Sequence, residues 1–378
     1  NNQTTRVSYK ITKLFFPIYR SDNMPKDQTK NLIEQPVNWL NTRAPNSDVV
    51  LSSRARVARN LKDYIFPGRA SSESQETIFN SISDTVDCYN SDYSDAEFFN
   101  TWRMTDFSDL DRQILLERKF VSRELCDKGL GSGLCLASDK AISILINEED
   151  HFRIQSLEPG LNLQKAWSEL TPYLKYFEDK LTFAFDEQLG FLTSCPSNLG
   201  TALRFSTMLQ IPGLSMTDSL SSVVRATSNL GFTVRGPFGE HSEPTGYILQ
   251  LSNQSTLGET EDELLQRVRR AVKQLLSAER KARETLLKTE PGKLYDYVGR
   301  AYGTLKYARD ISSTEAFQCL CATRLGCYMK MFDNLQLKKV NNLLISSQTG
   351  HLCMREGDRI DAADINGKRA QFIRENFD

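Results

Sequence analysis

The rhythm of apolar and polar positions changes twice along the chain. Residues 1–45 carry Pro17, Pro25, Pro36 and Pro45 among many polar residues, and they read as an extension with little core of its own. Order begins near Ser47-Asp48-Val49-Val50-Leu51, a short apolar strand. Ala141-Ile142-Ser143-Ile144-Leu145-Ile146 predicts a buried strand bounded by Asp139 and Asn147. His151 to Leu157 alternates as a second strand, and Glu158-Pro159-Gly160 marks a turn. Leu163, Ala166, Leu170 and Leu174 then recur at helical spacing through 161–180. Phe183 to Leu192 predicts a hairpin around Gln188-Leu189-Gly190, and 231–235 and 246–251 predict further strands. Short strands joined by tight turns, with helices between them, give an α+β fold with a largely antiparallel sheet.

From 259 the pattern becomes helical. Thr260 and Glu263 form a capping box, and Leu264, Val268, Val272 and Leu275 repeat along a long basic helix that Pro291-Gly292 ends. Ser312 and Glu315 suggest a second capping box before a helix through about Met331, with two more helical stretches after it. The expected division is an extension over 1–45, an α+β domain over 46–275 and an all-helical domain over 276–378.

Charge narrows the function classes. The 378 residues hold 47 basic and 48 acidic side chains, without the basic excess of a nucleic-acid binder. No apolar run approaches the roughly 20 residues of a membrane-spanning helix. Leu14 to Tyr19 is short and broken by Pro17, a poor signal-peptide core. The eight cysteines form no CxxC pair and the three histidines lie far apart, which argues against zinc and for reduced thiols in the cytoplasm.

The chemistry lies in arginines and acids. A P-loop signature is absent, as are the HRD and DFG elements of ordinary protein kinases. Gly129-Leu130-Gly131-Ser132-Gly133 matches no phosphate-loop spacing and reads as a surface turn. Ser52-Ser53-Arg54-Ala55-Arg56 places Arg54 and Arg56 on one face of a strand, either a polyphosphate clamp or a solvated basic edge. Asn147-Glu148-Glu149-Asp150-His151 closes a buried strand, either as a binding site or as an ordinary acidic turn, with Arg153 beyond it. Cys195-Pro196-Ser197-Asn198 leads toward an expected helix holding Arg204; its thiol is either activated or a packed structural group. Arg235-Gly236-Pro237-Phe238-Gly239-Glu240-His241 reads as a strand end and a loop that can close on a ligand.

Taken in order, Ser52–Arg56, Asn147–Arg153, Cys195–Arg204, Arg235–Glu240 and Leu251-Ser252-Asn253 with Leu257-Gly258 resemble the guanidino (phosphagen) kinase family. Within it the chain is most similar to the bacterial protein-arginine kinases. The Ser-Ser-Arg motif begins at Ser52, which leaves little room for the helical domain that precedes it in metabolite kinases. Arg369-Ala370-Gln371-Phe372-Ile373-Arg374 also resembles that branch.

The resemblance implies an ATP:guanidino phosphotransferase domain over 46–275. Mg²⁺ would arrive with ATP, not on a protein metal site. Arg54, Arg56, Arg153, Arg204 and Arg235 would surround the phosphates. Glu149 and Glu240 would grip the acceptor guanidinium, Glu149 as the base. Cys195 would lie against it as a thiolate, with Asn198 and His241 on the substrate loop. The implied reaction moves the γ-phosphoryl of ATP onto arginine side chains of proteins, in stress response and marking for degradation. Implied partners are a second copy through the helical domain, a zinc-binding activator protein and the Clp machinery. A small-guanidine kinase and an inactive kinase-like scaffold are the alternatives. Two departures stand out: Lys119 where relatives often carry a histidine near the adenine, and Ile365-Asn366 where a regulatory Arg-Asp pair is usual. The second predicts weak or lost phosphoarginine feedback.

Overall fold

A computed structural model of the chain describes residues 25–93, 98–139, 141–236, 245–357 and 364–377. Its framework is an eight-stranded sheet in which every neighbouring pair is antiparallel, ordered β2-β3-β4-β5-β1-β8-β10-β9. The strands are β1 (Val50–Arg59), β2 (Phe99–Arg103), β3 (Gly133–Ala137), β4 (Ile142–Ile146), β5 (Phe152–Pro159), β8 (Leu203–Gln210), β9 (Phe232–Arg235) and β10 (Ile248–Asn253). A separate hairpin pairs β6 (Phe185–Asp186) with β7 (Gly190–Phe191).

The helices before the C-terminal region are α1 (Pro25–Glu34), α2 (Ser72–Asp92), α3 (Asp109–Glu117), α4 (Arg123–Cys126), α5 (Leu163–Lys180), α6 (Pro212–Met216), α7 (Leu220–Asn229) and α8 (Glu261–Thr289). Then follow α9 (Pro291–Tyr307), α10 (Ser313–Tyr328), α11 (Leu337–Ser346), α12 (Thr349–Glu356) and α13 (Ile365–Phe377).

Side-chain alternation divides the sheet into two unlike faces. Ala55 and Val57 of β1, Ile154 of β5, Leu203 and Phe205 of β8 and Leu251 of β10 are buried in the main core. That core is closed by the apolar stripes of α2, α5 and α8, through Ile82, Leu170 and Val268 among others. The opposite face carries the polar positions of the same strands. A second core, with Leu305, Leu320, Leu344 and Ile373 from the C-terminal helices, packs around Met208 and Ile248 at one end of the sheet.

Two expectations are corrected. The described part of the extension, 25–45, packs: Leu32 lies in a core with Leu115 and Leu125, while Trp39 and Leu40 lie in the C-terminal core. The boundary expected at 275 falls inside α8, which runs unbroken because its buried stripe continues through Leu276, Glu279, Arg283 and Leu286. α8 does end just before Pro291, at Thr289, and Pro291 also starts α9, since proline's missing N–H costs nothing at a helix start. The Thr260–Glu263 capping box is present, with Glu263 N donating to Thr260 Oγ1 at 3.3 Å and Thr260 N to Glu263 Oε2 at 2.9 Å.

Candidate functional site

Strand register alone gathers the arginines. Residues directly opposite one another on neighbouring strands point to the same face. Arg56 lies opposite Arg204 on one side and Gln155 on the other. Arg54 is two residues away on the same strand, and Arg153 is opposite Ala58, two residues further along. Arg235 pairs with Gln250, Gln250 with Met208, and Met208 with Ser52, which returns to the same parity of β1. Arg54, Arg56, Arg153, Arg204 and Arg235 therefore share one face across five strands. At about 4.8 Å per strand the cluster spans about 19 Å.

Arg204 was expected on a helix and is on β8. Pro196 does open a helical turn, but it closes after Asn198 as a single 3-10 turn. Gly200 (φ 100°) and Ala202 (φ 50°) then turn the chain into the strand. Gly200 has no alternative: a Cβ there would lie 2.3 Å from the Thr256 carbonyl oxygen.

The charges on this face do not cancel evenly. Arg153 meets Glu148 in a buried ion pair and Glu149 at 2.5 Å, with Asp150 at 3.7 Å. Burial opposes its charge, but these three carboxylates outweigh burial and raise its pKa. Among the described residues, Arg54 and Arg56 have no carboxylate paired with them in this way. Burial, then repulsion from Arg153, pulls Arg54 down to about 10, against attraction from Glu148 and with a smaller repulsion from Arg235. Arg56 is held well below its ordinary range by burial and by repulsion from Arg153 and Arg54. Two partly buried cations left in mutual repulsion make a surface that gains from a polyanion.

The acidic turn belongs to the site. Glu148 is buried; burial raises its pKa, but Arg153, Arg56 and a hydrogen bond from Ser122 together bring it below the usual carboxylate range. Glu149 keeps 42% of its side chain exposed, so it faces solvent beside the arginines. The turn itself is fixed by Asn147, left-handed at φ 54°, whose amide donates to Gly131 O at 2.6 Å and Gln75 O at 2.8 Å.

A buried network joins this turn to the thiol loop. Asp150 Oδ1 accepts from Ser194 N at 2.7 Å and from Asn60 Nδ2 at 2.8 Å. Ser194 Oγ donates to Glu149 O at 2.6 Å, and Asn60 Oδ1 accepts from His151 N at 2.9 Å. His151 is a neutral buttress: its Nδ1 accepts from Leu61 N at 3.0 Å, so Nε2 donates to Ile65 O at 3.1 Å, and burial lowers its pKa. Cys195 follows directly, partly exposed, with Sγ 3.1 Å from Ser197 Oγ. Asn198 N donates to Cys195 O at 3.0 Å and Asn198 is buried. Thr256 Oγ1 donates to Leu199 O at 2.6 Å, anchoring the loop to the segment after β10.

Arg54, Arg56, Arg153, Arg204, Arg235, Glu149, Cys195 and Asn198 are thus all within the described residues, while Glu240 and His241 lie outside them. Sequence reasoning missed Asn60 and gave no separate role to Asp150, one acid of the Asn147–His151 stretch, or to Ser194. The available signal was weak: polar Asn60 directly follows the long strand β1, where a buried side chain must find partners.

Known proteins resemble the chain in both of its halves. The profile for the ATP:guanido phosphotransferase C-terminal catalytic domain matches residues 80–282, and that for the protein-arginine kinase McsB C-terminal domain matches 291–378. A protein-arginine kinase of Geobacillus sp. (strain WCH70) is 38% identical over 339 residues, covering 90% of this chain and 93% of that protein. One from Brevibacillus brevis is 37% identical over 349 residues, covering 92% and 97%. Among solved structures, lombricine kinase shares the fold at 22% identity with a TM-score of 0.55, covering 67% of this chain and 71% of its own. The duplicated taurocyamine kinase of Schistosoma mansoni matches at 26% identity and a TM-score of 0.55, covering 77% of this chain and 42% of its own. With its catalytic profile spanning more than half of the sequence, the chain belongs to the ATP:guanido phosphotransferase family.

Proposed function

We propose that the protein is an ATP-dependent protein-arginine kinase that transfers the γ-phosphoryl group of Mg-ATP to arginine side chains of proteins. The observation that carries this is the face on which five arginines meet a solvent-facing carboxylate, Glu149, tied to a thiol loop. The relatives named above support a protein-borne arginine as the acceptor.

Phosphoryl transfer asks for alignment and charge neutralisation more than covalent help. Arg54, Arg56, Arg204 and Arg235 hold the phosphates and spread the charge of the transferring group. Arg153, paired with Glu148 and Glu149, orients the carboxylates as well as facing the phosphates. Glu149 receives the planar acceptor guanidinium through paired hydrogen bonds. As the N–P bond forms, the bond from the γ-phosphorus to the ADP oxygen breaks, and one guanidinium proton passes to Glu149. That proton must leave, because the guanidinium pKa exceeds 12. Cys195, on the loop tied to Glu149, lies against the acceptor, and Glu240 and His241 complete the clamp.

The C-terminal helices serve a homodimer, and a zinc-binding activator and the Clp machinery are the partners in this proposal. Arg369, in the segment resembling the phosphoarginine-reading motif, is buried. It donates to Ser347 O at 3.0 Å, Ile311 O at 3.0 Å, Asn366 Oδ1 at 2.7 Å and Thr349 Oγ1 at 3.0 Å. A guanidinium so engaged supports a structural role over feedback. Incubation with Mg-ATP and casein, read by mass spectrometry for phosphoarginine, tests the proposal. Phosphoarginine that Glu149→Gln abolishes is expected; phosphoarginine undiminished in that variant would contradict the assignment of the base.

A further inference from the structure

Three consecutive residues at the end of α3 hold three different parts of the molecule. Glu117 holds the C-terminal helices, Arg118 the N-terminal segment and Lys119 the arginine face. The chain turns sharply among these partners, with Lys119 left-handed at φ 68°.

Glu117 caps the start of α12 from another segment of the chain. Its Oε1 accepts from Gly350 N at 2.8 Å, and its Oε2 accepts from His351 N at 3.2 Å and lies 2.7 Å from His351 Nδ1. A carboxylate only accepts, so Nδ1 is the donor. Gln113 Nε2, one turn earlier in α3, donates to Oε1 at 2.9 Å and orients the group. The approach is close: a Cβ on Gly350 would lie 2.9 Å from Gln113 Cγ and 3.0 Å from Glu117 Oε2. A negative group at a helix N-terminus, met by this many donors, makes a joint specific in both charge and geometry. Beyond it, Arg369 of α13 donates to Thr349 Oγ1 at 3.0 Å and to Ser347 O at 3.0 Å, tying the joint into the C-terminal core.

Lys119 engages the opposite side. Its carbonyl accepts from Gln155 Nε2 at 3.1 Å, and Gln155 stands opposite Arg56 on the arginine face. Its ammonium is repelled by Arg54 and attracted by Glu117. A polyanion beside Arg54 offsets that repulsion and adds a counter-charge for Lys119. Arg118 fixes the residue between: its guanidinium donates to Gln35 O at 3.1 Å and Pro36 O at 3.4 Å, and its carbonyl accepts from Trp39 Nε1 at 3.2 Å.

We propose that residues 117–119 couple nucleotide occupancy of the arginine face to the attachment of the C-terminal helices: bound nucleotide tightens the Glu117–α12 joint, and a loosened joint weakens nucleotide binding. The proposal rests on the reading of the arginine face as a nucleotide-phosphate site. The two directions share one coupling free energy, because coupling between sites is reciprocal. Its sign follows from order. Both events immobilise the same three residues, so whichever occurs first lowers the entropic cost of the other.

The test is hydrogen exchange of the full-length protein with and without saturating Mg-ADP, which binds without turnover. Amides of 349–356 are expected to exchange about fivefold more slowly with Mg-ADP, beyond any change across α9, a factor at the low end for coupled sites. In Lys119→Met at saturating Mg-ADP that response disappears. Calorimetry on Glu117→Gln, where an amide NH2 replaces one acceptor oxygen, should show Mg-ADP binding about fivefold more weakly. A joint that is merely structural would lower the melting temperature of Glu117→Gln and leave its Kd for Mg-ADP unchanged. That result, or α12 exchange indifferent to Mg-ADP in the unaltered protein, or a response that persists in Lys119→Met, would overturn the coupling while leaving the nucleotide site intact. Absence of Mg-ADP binding to the unaltered protein would overturn both.

Discussion

Arg54→Met separates the cost of the arginine cluster from its use. Burial and the neighbouring Arg153 and Arg235 bring the Arg54 guanidinium from its ordinary range to about 10. A fall of about 2.5, at about 1.4 kcal/mol for each tenfold change in proton affinity, sets an upper bound of about 3.4 kcal/mol for holding it charged at neutral pH. Arg54 is only partly buried, and solvent screening reduces this to about 2–3 kcal/mol. Its Nε also donates to Ser206 Oγ at 3.2 Å, a bond worth about 1 kcal/mol that the substitution removes. Without nucleotide, Arg54→Met should therefore be more stable by about 1–2 kcal/mol. Unfolding entropy near 2.1 cal/mol/K per residue makes that a rise of about 1–3 °C in melting temperature for a chain of 378 residues. Mg-ATP should raise the melting temperature of the unaltered protein and raise that of the variant much less. Calorimetry with and without Mg-ATP reads both effects. A variant that is less stable without nucleotide, or equally stabilised by it, would refute the view of this face as a polyanion site held in unfavourable repulsion.

Three further outcomes follow from particular contacts. Asn60→Ala leaves the buried Asp150 carboxylate and the His151 N–H each short of a partner, so stability should fall by about 2–4 kcal/mol in a denaturant titration. In the same variant kcat should fall more than the KM for ATP changes, because the loss lies between the Glu149 turn and the thiol loop. The Lys119 ammonium is pushed to about 8 by burial and by Arg54, against Glu117, so the folded state releases its proton before the unfolded chain does. Stability should then rise with pH between about 8 and 10.5, and Lys119→Met should remove that part of the slope in melting temperatures measured across the range. Micromolar phosphoarginine should leave both activity and sedimentation unchanged, given the four hydrogen bonds already made by Arg369.

The legible parts of the fold were those where local pattern and tertiary context agree. Apolar runs such as Ile142–Ile146 gave strands, and the period of two already put Arg54 and Arg56 on one face. Arg204 was misplaced because Cys195-Pro196-Ser197-Asn198 carries the chemistry of a helix start. Only the tertiary clamp of Gly200 against Thr256 shows that the turn closes and a strand begins. The joining of Arg153, Arg204 and Arg235 into one face depends on register across five strands, which no local pattern reports. The same holds for Asn60, Asp150 and Ser194, whose partners are 44 to 91 residues away. Residues 25–45 looked like loose extension because their apolar residues are sparse, yet Leu32, Trp39 and Leu40 fill gaps in cores built by distant segments.

The central claim is that phosphate passes from ATP to arginine held in a protein. Phosphorus NMR at neutral to alkaline pH, which spares the acid-labile P–N bond, would follow Mg-ATP offered to the purified protein with casein in one sample and free arginine in another. A phosphoarginine resonance on casein that exceeds any on free arginine, and that vanishes in Glu149→Gln, is the predicted result. Efficient phosphorylation of free arginine with casein untouched would contradict it.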